Sequence, residues 1–158
     1  MTADRDIVLD AVTEEARANG YKPVGKVYFY KEHPEVICVL NLQRSAWGPQ
    51  HYLNAGVTFT RLATSKRPKF SGLHILWRAD SLVLGERKSA LSKALDLEVA
   101  MNDAERHRAI REETFRHAFA HLAECANEAK SLELAERIGA AVKQAVFAHK
   151  ETENADSH

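Results

Sequence analysis

The sequence predicts an α+β domain, in which an antiparallel sheet of four to five strands carries an N-terminal helix and C-terminal helices, mainly on one face. Three observations predict this fold class. Apolar residues recur with a period of two between Gly25 and Arg78, as in half-buried strands. They recur with helical spacing before residue 20 and after residue 86. The connections between the predicted strands are short, which favours antiparallel neighbours because a parallel return needs a longer crossover.

Four segments have the strand pattern, and each is bounded by turn-forming residues. The first and second are separated by His33-Pro34, and the second ends before Trp47-Gly48-Pro49. A polar loop, residues 63–72, separates the third from the fourth. The predicted strands are Gly25 to Lys31, Glu35 to Ser45, His51 to Leu62, and Leu73 to Arg78, the last with an alternative extension through Leu84.

Helices are predicted on both sides of these strands. The first spans about Asp4 to Asn19 and ends at Asn19-Gly20. Asn102 and Glu105 resemble a capping box that opens a long helix, and a break near Lys130-Ser131 precedes the last helix. The apolar positions that mark the three C-terminal helices are Leu91, Leu95 and Val99; Phe115, Phe119, Leu122 and Ala126; and Leu134, Ile138, Val142, Ala145 and Val146.

Length and composition predict one domain over residues 1–150 and a polar, disordered tail over residues 151–158. The two cysteines, Cys38 and Cys125, are too few for a disulfide scaffold and indicate a reducing compartment. The N-terminus lacks the apolar centre of a secretion signal, and no apolar run approaches the ~20 residues of a membrane helix. We therefore expect a soluble cytoplasmic protein that does not bind a membrane.

Charge and aromatic residues concentrate in the predicted strands. Residues 21–78 hold nine of the chain's twelve aromatic residues, and nine basic residues oppose only Glu32 and Glu35. The local net charge is +7 in a chain whose total is zero. A basic β layer that is rich in aromatic residues suits an anionic or flat partner.

Alternation along the strands places one group of polar side chains on the face opposite the predicted helices. We expect Gln43, Asn54, His74 and Arg78 to gather there. Such donors could orient a polar or anionic ligand. The alternative is the ordinary hydrated face of an antiparallel sheet. The loop residue Trp47 favours a binding surface, because an exposed tryptophan either folds back on the core or contacts a partner.

Several spaced elements resemble the bacterial domain-of-unknown-function family 4304. They are Tyr28-Phe29-Tyr30, the run from Val39 to Gly48 that contains Gln43-Arg44-Ser45, the run Tyr52 to Val57 that contains Asn54-Ala55-Gly56-Val57, and His74 to Arg78. The resemblance covers about residues 4–80 and implies an α+β fold and a bacterial origin. Gln43, Asn54, His74 and Arg78 match the polar signature of the family. The family has no established activity, so the resemblance implies no catalytic role.

No motif predicts a catalytic residue or a cofactor. His117 and His121 lie four residues apart on a predicted helix, a spacing that can chelate Zn²⁺. The sequence between them lacks the glutamate of a helical zinc protease. They also fall opposite the predicted apolar stripe, so the alternative is a solvated polar helix face. No serine elbow and no glycine-rich phosphate loop is present.

These observations favour a non-catalytic protein-binding module of the immunity or antitoxin kind, whose partner, for example a toxin, has an acidic surface. Two alternatives use the same region. One is a small-molecule or enzymatic site at Gln43, Asn54, His74 and Arg78. The other is single-stranded nucleic-acid binding through the basic loop at residues 66–70, which the neutral total charge and the missing RNP-like motif disfavour. An uncovered face bearing tyrosines would also permit a homodimer.

Overall fold

A computed structural model describes residues 6–81 and 89–147, and these residues form one six-stranded antiparallel sheet with helices packed against it. The strands follow one another in sequence order across the sheet. They are β1 (Lys22–Val24), β2 (Tyr28–Glu32), β3 (Val36–Arg44), β4 (His51–Phe59), β5 (Ile75–Arg78) and β6 (Ala141–Val142). The α+β class is therefore confirmed, with one strand more than the predicted maximum.

The centre of the sheet is the β3–β4 hairpin. Its two strands pair over their full length, from Val36 with Phe59 to Arg44 with His51. The edge strands are short: β1 has three residues and includes Pro23, and β6 has two. Short edges and an edge proline both limit pairing with further strands.

Four of the helices follow a residue whose side chain caps their N-terminus. The helices are α1 (Ile7–Ala18), α2 (Ala90–Ala94), α3 (Asp103–Thr114), α4 (Ala120–Leu122) and α5 (Glu128–Ile138), and a π-helical segment, Phe115–Phe119, joins α3 to α4. The predicted cap of α3 is confirmed, since the Asn102 side chain accepts the Glu105 N–H at 2.8 Å. None of the helices in the described part of the chain is long and apolar enough to cross a bilayer.

The main core lies between one face of the sheet and the helices. Phe29, Leu40, Leu53 and Val57 are fully buried on that face, and they pack with buried residues of all five helices, for example Ile110 of α3. The face carries the residues of β3 and β4 that strand alternation assigned to it. The helices therefore cover this one face, as the apolar pattern predicted.

Several predicted boundaries differ from the structure. The break near Lys130-Ser131 is wrong, because the chain leaves the helical conformation before residue 128 and Asn127 then caps α5 by accepting the Lys130 N–H at 2.9 Å. The last helix ends at Gly139, whose φ of 70° is left-handed, so Val142 lies in β6 and not in a helix. The helix marked by Leu91 ends at Ala94.

Two strands were missed, and some predictions fall outside the described residues. β1 and β6 are too short to show an alternating pattern. The start of the first helix before residue 6, the extension of the fourth strand over residues 82–84 and the tail over residues 151–158 lie outside the described ranges.

Candidate functional site

The face of the sheet opposite the helices is divided into two halves. On one half, the loop of residues 63–73 folds over the strands, and its Leu73 packs with Tyr30, Ile37 and Val39 in a second apolar cluster. Hydrogen bonds to two tyrosines help to fix this loop: the Tyr30 hydroxyl donates to the Pro68 carbonyl at 3.0 Å, and the Phe70 N–H donates to the Tyr28 hydroxyl at 3.1 Å. We call this part the covered half.

The other half of this face, which we call the open half, carries a band of polar side chains. Strand pairing sets Asn41 opposite Asn54, and Asn54 opposite Arg78. It also sets Gln43 opposite Tyr52. The open half consists of Asn41, Gln43, Tyr52, Asn54 and Arg78. The structure thus brings together Gln43, Asn54 and Arg78, as alternation predicted.

A chain of amide hydrogen bonds organises the centre of the open half. Asn54 Nδ2 donates to Asn41 Oδ1 at 3.0 Å and to Gln43 Oε1 at 3.1 Å. Asn41 Nδ2 in turn donates to the Val27 carbonyl at 3.2 Å. Asn54 is 1% exposed, whereas Gln43 lies at the surface. A buried asparagine therefore holds a surface glutamine in a fixed orientation.

Arg78 is fixed by Asp80, a residue that the sequence reasoning missed. Its Nε and Nη2 donate to the two Asp80 carboxylate oxygens at 3.0 and 2.5 Å, and Asp80 Oδ1 also accepts the Leu53 N–H at 2.9 Å. The hydrogen bond to Asp80 raises the pKa of Arg78. The guanidinium carbon lies 4.4 Å from the centroid of the Tyr52 ring. The two-residue spacing of Arg78 and Asp80 was the available signal for this pair.

His74 does not join this group. It precedes β5 and lies four residues from Arg78, or about 13 Å along an extended chain. Its Nδ1 accepts the Phe59 N–H at 3.0 Å, and the residue is 9% exposed. Burial, followed by the nearby Lys143 charge, lowers the pKa of His74. The expectation that His74 shares a surface with Gln43, Asn54 and Arg78 is therefore wrong, because this ring completes the hydrogen bonding at the end of β4.

Trp47 lies in the tight connection between β3 and β4 and does not fold back on the core. Its side chain is 96% exposed. The connection is closed by a hydrogen bond from the Ser45 N–H to the Gln50 carbonyl at 2.8 Å, and the Trp47 N–H donates to Ser45 Oγ at 3.1 Å. Trp47 is four residues beyond Gln43, at the end of the sheet where the open half lies.

The two histidines of the long helix are half-buried, whereas a solvated polar helix face was the expected alternative to a metal site. His117 Nε2 lies 3.0 Å from Glu113 Oε2, and the His117 carbonyl accepts the Trp77 indole N–H at 3.2 Å. The ring of His121 meets that of Trp77 edge-on, with 6.4 Å between centroids, and burial lowers the pKa of His121. Within the described residues, no group of three or more His, Cys, Asp or Glu side chains could hold a metal ion.

A π-helical segment, Phe115–Phe119, interrupts the helix on which the apolar stripe was predicted. It adds residues to a helical turn and so shifts every following side chain around the axis. Phe115, predicted in the core, is 47% exposed, while Ala118, Phe119 and Leu122 are buried. The predicted apolar stripe is therefore confirmed at Phe119 and Leu122 and is wrong at Phe115.

Neither cysteine has the properties of a nucleophile. Both are free and buried. Burial raises the pKa of Cys38 to about 12 and that of Cys125 to about 11. Reactive cysteines require a stabilised thiolate.

The tyrosines of the covered half are not available as a stacking surface. Tyr28 and Tyr30 stack on each other with 5.9 Å between ring centroids. Lys69 Nζ lies 4.7 Å from the Tyr28 ring, and the Arg67 guanidinium lies 5.9 Å from the Tyr30 ring. This arrangement weakens both the nucleic-acid hypothesis and the hypothesis of a dimer that uses these rings.

Comparison with known proteins gives one match. The family model described as Domain of unknown function (DUF4304) matches residues 12–147, so the match includes the C-terminal helices as well as the sheet. No curated protein and no solved structure matches the chain.

Proposed function

This chain belongs to the DUF4304 family, and we propose that it is a non-catalytic bacterial cytoplasmic module that binds an acidic protein partner, in the manner of an immunity protein or antitoxin. The proposed binding surface is the open half together with Trp47.

The exposure of Trp47 carries this proposal. At 96% exposed, Trp47 leaves a large apolar ring in water on a short, hydrogen-bonded connection. Tryptophan, tyrosine and arginine dominate the binding energy of protein interfaces. Tyr52 and Arg78 lie on the open half beside this connection. A buried interface would remove the cost of exposing Trp47.

Pre-organisation of the open half supports the same proposal. The Gln43 amide is held by Asn54, and the Arg78 guanidinium is held by Asp80 and the Tyr52 ring. Side chains that are already ordered lose less conformational entropy when a partner binds. The surface therefore presents fixed donors and acceptors to a complementary surface.

The shape and charge of this region favour a protein over a small molecule. Five clefts of about 350–410 Å³ lie on the described surface, and none of these five is lined by Gln43, Trp47, Asn54 or Arg78. The net charge of +7 over residues 21–78 favours a partner with an acidic surface, because complementary potentials accelerate association.

Calorimetry with the products of adjacent reading frames tests the proposal. We expect one of these products to bind the full chain. Trp47→Ala should then weaken binding by about thirtyfold, as expected for an interface hot spot. Arg78→Ala should weaken it less, since part of the Arg78 charge is already neutralised by Asp80.

Phe115→Ala is the matched control, because Phe115 is an exposed aromatic residue on the helical side of the molecule. It should leave the affinity unchanged. The proposal is wrong if no adjacent product binds, or if Phe115→Ala weakens binding as much as Trp47→Ala does.

A further inference from the structure

A second surface feature lies at the edge of the sheet where β1 begins. It is a cleft of about 380 Å³. Its lining includes four cationic side chains, the Tyr30 ring and one carboxylate, and these residues are Lys22, Lys31, Lys66, Arg67, Tyr30 and Glu32. Since Tyr30 pairs with Val39, four residues before Gln43 on β3, the cleft lies about 13 Å along the strand from Gln43. It is independent of the protein-binding surface proposed above.

The walls of the cleft are fixed by secondary structure and by the anchored loop. Lys22 is the direct strand partner of Tyr30. Lys31 Nζ donates to the Asn19 carbonyl at 3.1 Å, and an ammonium group has two further N–H donors beyond this bond. Gly20 leaves this ammonium accessible, because a Cβ at Gly20 would lie 3.3 Å from Lys31 Nζ.

The loop brings the other two cations over the cleft. The hydrogen bond from the Tyr30 hydroxyl to the Pro68 carbonyl anchors the residue that follows Arg67, and the Arg67 N–H donates to Ser65 Oγ at 3.0 Å. Within the described residues, Lys22, Lys66 and Arg67 form no ion pair with a carboxylate. Four cationic residues and one carboxylate, Glu32, line this cleft, so its formal charge is +3 and the cations repel one another with one negative charge to offset them.

An anion with more than one negative charge would relieve this repulsion. Arginine and lysine together are the usual ligands of phosphate groups, because the guanidinium fork matches two phosphate oxygens and ammonium groups supply further charge. A volume of about 380 Å³ is within the range of small-molecule sites. We infer that this cleft binds a small molecule bearing phosphate groups.

Nucleic acid fits the cleft less well. Binding of single strands depends on aromatic rings on which bases stack. The Tyr30 residue is 6% exposed, and Arg67 already lies over its ring. The cleft therefore offers charge without a free stacking surface, which favours a compact phosphate compound.

Calorimetric titration of the full chain with inorganic pyrophosphate at about 0.1 M ionic strength, where the Debye length is about 10 Å, tests this inference. We expect the wild-type chain to bind pyrophosphate. The double substitution Lys66→Ala and Arg67→Ala should weaken binding at least about tenfold, because it removes charge-assisted hydrogen bonds. Both side chains are exposed, so circular dichroism and the urea midpoint of this variant should match those of the wild type.

The control is Lys93→Ala with Lys130→Ala, which removes the same net charge from exposed positions on the helices. It should leave pyrophosphate binding within about twofold of the wild type, since charges beyond a Debye length are screened. The inference is overturned if the wild type binds no pyrophosphate, or if both double variants lose affinity equally. It is also overturned if the chain retains a single-stranded oligonucleotide through Lys66 and Arg67 but does not bind pyrophosphate.

Discussion

At the scale of single residues, Asn54 organises the open half without being accessible itself. Its amide nitrogen donates hydrogen bonds to the side-chain oxygens of both Asn41 and Gln43. Buried polar groups are costly to leave without a hydrogen-bond partner. The orientation of the surface amide of Gln43 therefore depends on a residue that is 1% exposed.

We expect Asn54→Ala to destabilise the fold by about 1–3 kcal/mol, because the buried Asn41 Oδ1 loses its donor. Gln43→Ala, the control at the exposed end of the same network, should change the free energy of unfolding by less than about 0.5 kcal/mol. Urea denaturation measures both. Equal destabilisation by the two substitutions would contradict the role assigned to Asn54.

His74 makes stability depend on pH. Its folded-state pKa lies below the usual value of 6.5, first because of burial and then because of Lys143 and Arg61, with Glu128 acting in the opposite direction. Between the folded and unfolded pKa values, the unfolded chain binds more protons than the folded chain does. Stability is therefore complete above the unfolded pKa and falls as the pH decreases through this window. A protonated His74 also cannot accept the Phe59 N–H.

We expect the free energy of unfolding to decrease from about pH 7.5 to about pH 5.5, the range in which histidines titrate. His74→Asn should reduce this decrease, because an amide oxygen can accept the Phe59 N–H and does not titrate. His33 and His121, whose pKa values are also lowered, leave a residual dependence. Urea titrations at both pH values are the measurement, and an unchanged pH dependence in His74→Asn would refute this assignment.

At the scale of secondary-structure elements, the approach of β5 to β4 is set by Gly56. A Cβ at this position would clash with the Ile75 carbonyl oxygen and lie 2.8 Å from Leu73 Cδ1. Gly56 also pairs with Leu76, so the close approach occurs inside the sheet, next to the site where Leu73 enters the covered half. The absence of a side chain at Gly56 thus permits both the strand pairing and the position of the loop.

Gly56→Ala should destabilise the protein by at least about 3 kcal/mol, the upper end of the usual cost of overpacking. Gly72→Ala is the matched control, since its Cβ would meet only Pro68 Cβ at an ordinary 3.7 Å. It should change stability by less than about 0.5 kcal/mol. The measurement is the midpoint of urea denaturation of each variant. Similar midpoints for Gly56→Ala and Gly72→Ala would show that Gly56 is not required for this packing.

At the scale of the whole molecule, the zero net charge conceals two oppositely charged regions. Residues 21–78 carry +7, so the rest of the chain carries −7. The positive region includes the strands and loop that form both the open half and the cleft, whereas the described helices lie in the acidic remainder. Such a charge distribution would orient an acidic partner or ligand toward the sheet side. The two proposals therefore place different ligands on one side of the protein.

The sequence was sufficient for the α+β class, the central strands and the membership of Gln43, Asn54 and Arg78 in one face. These features follow from the period-two alternation, which is local information about neighbouring side chains. The cap at Asn102 is equally local. The local spacing of Arg78 and Asp80 could have indicated their ion pair, but the hydrogen bond from Leu53 to Asp80 and the burial of His74 were not predictable in this way, because the bonds from Leu53 to Asp80 and from Phe59 to His74 cross between strands.

The sequence by itself determined which residues lie on each side of the sheet, because a strand alternates its side chains whatever surrounds it. Only the tertiary structure decided which part of the second face is open, since the loop of residues 63–73 covers the remainder through contacts such as Tyr30 with Pro68, 38 positions apart. The exposure of Trp47 and the presence of the π-helical segment likewise depend on the tertiary structure. Whether a side chain is covered or exposed depends on contacts between segments that are distant in the sequence. The periodicity of neighbouring residues does not contain this information.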